Sequence, residues 1–284
     1  MRGEWLGPLR QVAGRVREEL LSLAEATRPP RDAKEAKARE QVADEVACRA
    51  LLEGLEEVGF MGTLICEDLG VRELGGESGP PYLLVDPLDG TRNFSRGLAI
   101  ASISMAVCTG PSLEHLKEAL VLEVFSGQEF WAVSGRGAFS SSGPIEVSKT
   151  AELSEAVVSV DKSRVRRGTG GWVLDIAYSV SATRQLGAAS LELCQVARGV
   201  FDAHVDLREY IRPTDVAAGV LIAREAGACV WLKGRREPKV ALALDEKVCL
   251  IAANPSLFEQ LACLLRPYMA GGGLLLRPSG YKPK

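Results

Sequence analysis

Tyr82-Leu83-Leu84-Val85 runs directly into Asp86-Pro87-Leu88-Asp89-Gly90-Thr91-Arg92-Asn93-Phe94. An unbroken apolar run of this kind suits a strand covered on both faces. The carboxylate that follows at Asp86 is costly to bury without a partner. A fold that accepts this stretch must therefore carry a buried strand to a polar rim. Carboxylates are hard oxygen donors of the kind a divalent cation prefers. The first amides of a turn or helix starting at Gly90-Thr91 aim N–H groups at an anion. One short segment thus offers a place for a cation beside a place for a phosphate.

The rest of the chain alternates between helical and strand-like patterns. Val12, Val16, Leu20 and Leu23 recur at helical spacing and predict a helix over Leu9–Ala26; Pro29-Pro30 breaks it. A second helix is expected over Glu35–Val58, charged at first and then apolar at Val42, Val46, Ala50 and Leu51. Thr63–Cys66 reads as a strand ending at Glu67-Asp68, Gly70–Pro81 as a polar loop, and Tyr82–Val85 as the strand before the acidic segment. Ala101–Thr109 and Ala119–Val133 are β-rich, and Gly135–Pro144 is turn-rich. Further strands are expected at Val157–Val160, Phe201–Val205, Ala228–Leu232 and Val248–Ala252, and helices at Trp172–Tyr178, Gly187–Arg198, Pro213–Gly227 and Pro255–Leu265. Interleaved strands and helices imply layered α and β structure. From Gly271 onward four glycines, two prolines and no periodicity predict a flexible tail, 271–284.

With 284 residues the chain is long enough for one large domain or two closely packed ones. A net charge of −3 gives no polyanion-binding surface, so nucleic acid is not an expected partner. Seven scattered cysteines without a C-x-x-C pair suit a reducing compartment, and two histidines leave little for a histidine metal site or triad. No apolar run is long enough to span a bilayer, and the amphipathic Arg10–Ala26 lacks the features of a signal peptide. A cytoplasmic location without membrane contact is the expectation.

Four acids stand out. Glu67 and Asp86 follow strands, Asp89 lies three residues on, and Asp215 falls in the first turn of a helix in Ile211-Arg212-Pro213-Thr214-Asp215-Val216-Ala217-Ala218-Gly219. Ligands of open α/β sheets collect at the carboxyl ends of strands, so these acids could share one rim. Singly, Glu67 also fits a solvated loop, Asp89-Gly90 a hairpin turn and Asp215 a helix cap.

Taken together, Glu67-Asp68, Asp86-Pro87-Leu88-Asp89-Gly90-Thr91 and Asp215-Val216-Ala217-Ala218-Gly219, in this order and spacing, resemble the inositol monophosphatase / fructose-1,6-bisphosphatase superfamily. The likeness extends from about Leu9 to Leu265 and is greatest to the archaeal dual-activity members. It implies an α+β / α/β fold, a layered αβαβα sandwich of the sugar-phosphatase type. One unit would span 1–270, with an α+β half over about 1–150 and an α/β half over about 151–270. It implies a Mg²⁺-dependent hydrolase of sugar phosphate monoesters, inositol 1-phosphate or fructose 1,6-bisphosphate. Two or three ions would serve each site, Mn²⁺ substituting and Li⁺ inhibiting. Glu67, Asp86 and the Leu88 carbonyl would hold one ion, and Asp86, Asp89 and Asp215 a second. Backbone amides of Gly90 and Thr91 would bind the phosphate, and the Thr91 hydroxyl would orient the attacking water. Arg184, Gly187, Ala188 and Ala189 would line the sugar pocket, and Asp206 would accept hydrogen bonds from sugar hydroxyls. The resemblance also implies a homodimer.

The family carries an Asp early in its second helix that pairs with the motif threonine. Lys37-Ala38-Arg39-Glu40 stands in that place, which assigns the role to Glu40 alongside Thr91 and Glu67, with Asp32 and Asp44 as alternatives. Lys162, Arg164, Arg166 and Arg167 form a basic cluster that is either solvated or a grip on a second phosphate. Two other functions fit the same motifs: a 3′-phosphoadenosine 5′-phosphate phosphatase, and a non-catalytic descendant that binds metal or sugar phosphate.

Overall fold

Two long helices open the chain. Helix α1 (Leu6–Ala26) buries Leu9, Val12, Val16 and Leu20 on one stripe. The Glu118 carboxylate captures the free amides at its start, accepting from Glu4, Trp5 and Leu6 at 2.7, 3.0 and 2.9 Å. Helix α2 (Ala33–Glu57) starts where Asp32 accepts from the Glu35 amide at 2.8 Å. The structure, a computed structural model, describes residues 3–26, 28–76, 78–165, 168–234, 240–269 and 273–279.

Eight strands follow in one sheet: β1 (Gly62–Cys66), β2 (Gly70–Leu74), β3 (Tyr82–Asp89), β4 (Ser102–Cys108), β5 (Leu116–Glu123), β6 (Glu129–Val133), β7 (Ala138–Ser140) and β8 (Gly143–Ile145), with the short helix α3 (Thr91–Ser95) between β3 and β4. Their spatial order is β2-β1-β3-β4-β5-β6-β7-β8, and β1 runs parallel to β3. A second sheet holds β9 (Val157–Val160), β10 (Ala182–Arg184), β11 (Ala203–Ile211), β12 (Cys229–Lys233), β13 (Val248–Ala253) and β14 (Leu274–Leu276), in the order β10-β9-β11-β13-β12-β14. Helices α4 (Gly171–Ser179), α5 (Ala189–Ala197), α6 (Pro213–Glu225) and α7 (Pro255–Leu265) complete the set.

The period of two along each strand sorts side chains into layers. Leu83 and Val85 of β3 face α1 and α2, while Leu84 faces α5 and α6. Val230 and Leu232 of β12 meet the same α5–α6 layer from the other side. Cys229 and Trp231 point away from it, toward α4 and α7. The result is an αβαβα stack with both sheets covered on both faces, which is why these strands read as continuous apolar runs.

Some segments differ from the sequence reading. The loop expected over Gly70–Pro81 contains β2, which pairs antiparallel with β1 as the sheet's outermost strand. It is polar because an edge strand with exposed residues needs no apolar alternation. Part of the tail expected to be flexible forms β14, with Leu275 opposite Trp231 of β12. Its bonds are supplied by a sheet edge, which no local pattern announces. The strand expected to stop at Val85 continues to Asp89.

That continuation shapes everything around it. Asp86 lies opposite Ser104 of β4 and Asp89 opposite Ser102, so three steps on β3 match two on β4. The extra residue is a bulge at Pro87-Leu88, where proline costs no ladder bond. In a regular strand two residues three apart face opposite sides. The bulge reverses the pleat, sends Leu88 into the core with Leu83 and Val85, and puts Asp86 and Asp89 on one side.

Candidate active site

The carboxyl end of β3 opens into a cavity of about 320 Å³. Glu67 enters it from the turn after β1, Asp86, Leu88 and Asp89 from β3, Gly90 and Thr91 from the start of α3, and Asp215 from the first turn of α6. Acids separated by up to 148 positions (215 − 67) thus share one wall. Gly90 makes the turn possible: its φ is +92°, and a β-carbon there would lie 2.8 Å from the Ile100 carbonyl.

Each acid has a protein partner. The Asp86 carboxylate accepts from the Leu88 amide at 3.1 Å. Asp89 accepts from the Ser190 amide and hydroxyl at 2.8 and 2.6 Å, at the start of α5. Asp215 accepts from the Arg212 amide at 2.9 Å and the Thr214 hydroxyl at 3.0 Å. Glu67 pairs with the Arg212 guanidinium. Turned this way, no three acidic, histidine or cysteine side chains among the described residues stand close enough to hold an ion.

The electrostatics nonetheless suit a cation. Burial first, and then the charges of Asp89, Asp215 and Glu67, push the Asp86 carboxyl well above its usual range. Burial raises Asp89 to about 7 against the lowering effect of the Ser190 bonds. Asp215 is raised to about 6, again chiefly by burial. All the candidate donors are carboxylate or carbonyl oxygens, the set that Mg²⁺ or Mn²⁺ takes. The donor set fits such ions, and on side-chain rotation Glu67, Asp86, Asp89, Asp215 and the Leu88 carbonyl would be the residues to hold them.

The Thr91 hydroxyl lies 2.8 Å from the Leu88 carbonyl and 3.2 Å from Asp44 Oδ1. Asp44, not Glu40, therefore stands beside it on α2. Both face the cavity, as residues four apart on a helix should, but Glu40 is one turn too early. The sequence reading put Glu40 first and Asp44 among the alternatives, because the approach of the β3 turn to Asp44 has no local signal. Burial, reinforced by Asp68, raises Asp44 to about 7.

The expected sugar pocket is only partly where it was placed. Gly187 and Ala189 line the cavity, whereas Ala188 is buried outside it. Arg184 is exposed and donates to the Thr183 carbonyl at 2.9 Å, away from the cavity. Asp206 is only 1% exposed, with its carboxylate engaged by Arg208 at 2.8 and 2.5 Å, so it has no oxygen turned to a ligand. Arg208 instead faces the cavity, held also by Asp161 at 2.6 Å and the Ser163 carbonyl at 2.8 Å. The signal for Arg208 was its place two residues beyond Asp206 on the same strand. Arg164 of the basic cluster lies over the Tyr210 ring at 4.8 Å; Arg166 and Arg167 fall outside the described residues. Arg164, Arg208 and Tyr210 also border a neighbouring cavity of about 700 Å³ that includes Trp172 and Lys247.

A family model for the inositol monophosphatase family matches residues 5–270 of the chain. The chain is 32% identical over 214 residues to a fructose-1,6-bisphosphatase of Pyrococcus furiosus, covering 75% of this chain and 78% of that one. It is 34% identical over 219 residues to a fructose-1,6-bisphosphatase/inositol-1-monophosphatase of Thermococcus kodakarensis, covering 77% and 79%. Among solved structures, a hypothetical protein from Pyrococcus horikoshii with similarities for inositol-1 monophosphatase matches with a TM-score of 0.73 at 30% identity, over 92% of this chain and 97% of that one.

Proposed function

The chain belongs to the inositol monophosphatase family, and on that premise we propose that it is a divalent-cation-dependent phosphatase of small sugar phosphates, with inositol 1-phosphate and fructose 1,6-bisphosphate as its substrates. The observation that carries this reading is the meeting of Glu67, Asp86, Asp89 and Asp215 with the Asp44–Thr91 pair around one cavity. When bound, Mg²⁺ or Mn²⁺ supplies positive charge against the phosphate and the leaving oxygen and acidifies the attacking water. The amides of Gly90 and Thr91 hold the phosphate at the turn. By donating to Asp44, Thr91 Oγ1 turns a lone pair toward the water and orients it for in-line attack. Asp44, whose carboxyl titrates near neutrality, takes up the proton that the water loses. The hydrogen bond from Thr91 to Asp44, one of the alternatives to Glu40, supports this catalytic reading over a non-catalytic descendant.

Arg208 is engaged by Asp206, Asp161 and Ser163. Arg164, lying over the Tyr210 ring at the cavity's edge, offers a cationic contact to the part of the substrate beyond the reacting phosphate, and Lys247, near the same ring, extends this into the adjoining cavity. This supports a substrate with a second phosphate. The test is phosphate release from inositol 1-phosphate, fructose 1,6-bisphosphate and 3′-phosphoadenosine 5′-phosphate, each with and without Mg²⁺. Release from the first two only with Mg²⁺ is expected, and Lys247→Ala should lower kcat/KM about tenfold for the bisphosphate alone, roughly one lost charge-assisted contact. Release that ignores chelation refutes the reading.

The cage also predicts a pH-dependent stability. Asp44, Asp86, Asp89 and Asp215 are raised above their unfolded values, so their favourable contribution is complete only at low pH. It is lost as pH climbs through the folded values, near 6 for Asp215 and near 7 for Asp44 and Asp89. Metal-free protein should melt lower at pH 8 than at pH 5.5. Saturating Mg²⁺ should raise Tm more at pH 8, because ions bind the deprotonated carboxylates. Equal Mg²⁺ shifts at both values in differential scanning calorimetry would contradict the burial of these acids as a repelling group.

A further inference from the structure

Arg212 touches two of the four acids and takes no place in the cavity wall. Its guanidinium pairs with Glu67 Oε1 and its amide donates to Asp215 Oδ2 at 2.9 Å, so a single residue ties acids from β1 and α6 together. Pro213 begins the helix directly after it, and Asp215 donates its own amide to the Arg212 carbonyl at 3.2 Å, which fixes the direction in which the arginine leaves the chain.

Glu67 needs such a partner. It sits in the exposed turn between β1 and β2, with 37% of its side chain accessible. Among the described residues, Arg212 is the only group that binds its carboxylate. Freezing a long, solvated side chain in one rotamer costs conformational entropy. The guanidinium meets that cost before any ion arrives.

Resting on the reading of this cavity as a divalent-cation site, we propose that Arg212 is a positioning residue that keeps Glu67 and Asp215 together at the cavity, from where side-chain rotation would complete the cation cage. Hydrogen-bond partners behind a metal's ligands typically govern affinity by 10- to 100-fold. Calorimetric titration of the full chain with Mg²⁺, without substrate, tests this. Arg212→Leu should weaken Mg²⁺ binding by about 10- to 100-fold, and Arg212→Lys, which keeps the charge but not the planar fork, by less. In a Glu67→Gln background, already weak, Arg212→Leu should add little, because the two act through one contact. At saturating Mg²⁺, kcat of Arg212→Leu should return to within a few-fold of wild type, which separates positioning from catalysis. Unchanged or tighter binding in a folded Arg212→Leu protein overturns the proposal while the phosphatase reading stands. A wild-type protein that binds no Mg²⁺ overturns both.

Discussion

Asp89→Asn should abolish phosphate release at every Mg²⁺ concentration while leaving the fold intact. Asparagine is nearly isosteric, and its oxygen still accepts from the Ser190 amide and hydroxyl, so the link between β3 and α5 survives. What disappears is the charge. On the proposed reading, Asp89 would help hold an ion with Asp86 and Asp215, and that ion would supply positive charge where the transition state gathers negative charge. A loss on the order of 10³-fold or more in kcat/KM is expected, about 4 kcal/mol of transition-state stabilisation. The same substitution should not lower the metal-free Tm at pH 8, and should raise it if anything, because it removes a carboxylate that burial pushes to about 7. Activity and stability would then move in opposite directions, a combination that misfolding cannot produce. Full activity in Asp89→Asn would end the ion-cage account.

The second large effect separates two acids one helical turn apart. Asp44→Asn should lower kcat by about 10²- to 10⁴-fold with little change in Mg²⁺ affinity, the range for a positioned proton acceptor. Glu40→Gln should cost no more than a few-fold, because Glu40 has no bond to Thr91. The acidic limb of the pH–rate profile is the sharper readout. Burial raises Asp44 to about 7, so rate should climb as pH rises toward neutrality, and this limb should vanish from the residual activity of Asp44→Asn. The reverse ranking of the two variants would return the role to Glu40.

Much of the layered architecture was legible because its strands are covered on both faces and its helices carry apolar stripes at regular spacing. Val157–Val160 and Pro255–Leu265 match their observed bounds for that reason. Segments whose structure depends on a remote partner were not legible. β2 and β14 are short edge pieces that exist because β1 and β12 supply the bonds. The four acids were readable from strand ends and a helix start. Asp44 was harder to place, because Glu40 and Asp44 lie on one face of α2 and only the approach of the β3 turn chooses between them. Asp206 shows the opposite error: an acid with the right type and position is taken up by an arginine two residues away on its own strand. Arg208 and Arg212 carried no local signal beyond their proximity to named acids.

The bulge in β3 has a consequence for how this protein can change over time. Loops absorb an added or lost residue by bowing outward, and an edge strand can slide. The segment between Asp86 and Asp89 has neither freedom, since it lies deep in an eight-stranded sheet with its register to β4 set on either side of the irregularity. Removing one residue there restores the regular pleat and swings the second aspartate into hydrocarbon; adding one displaces Thr91 from Asp44. Length at this point is therefore set by the fold itself. Change in what the protein accepts is better placed in side chains of the opposite wall, such as Arg164 and Tyr210, which carry no such register.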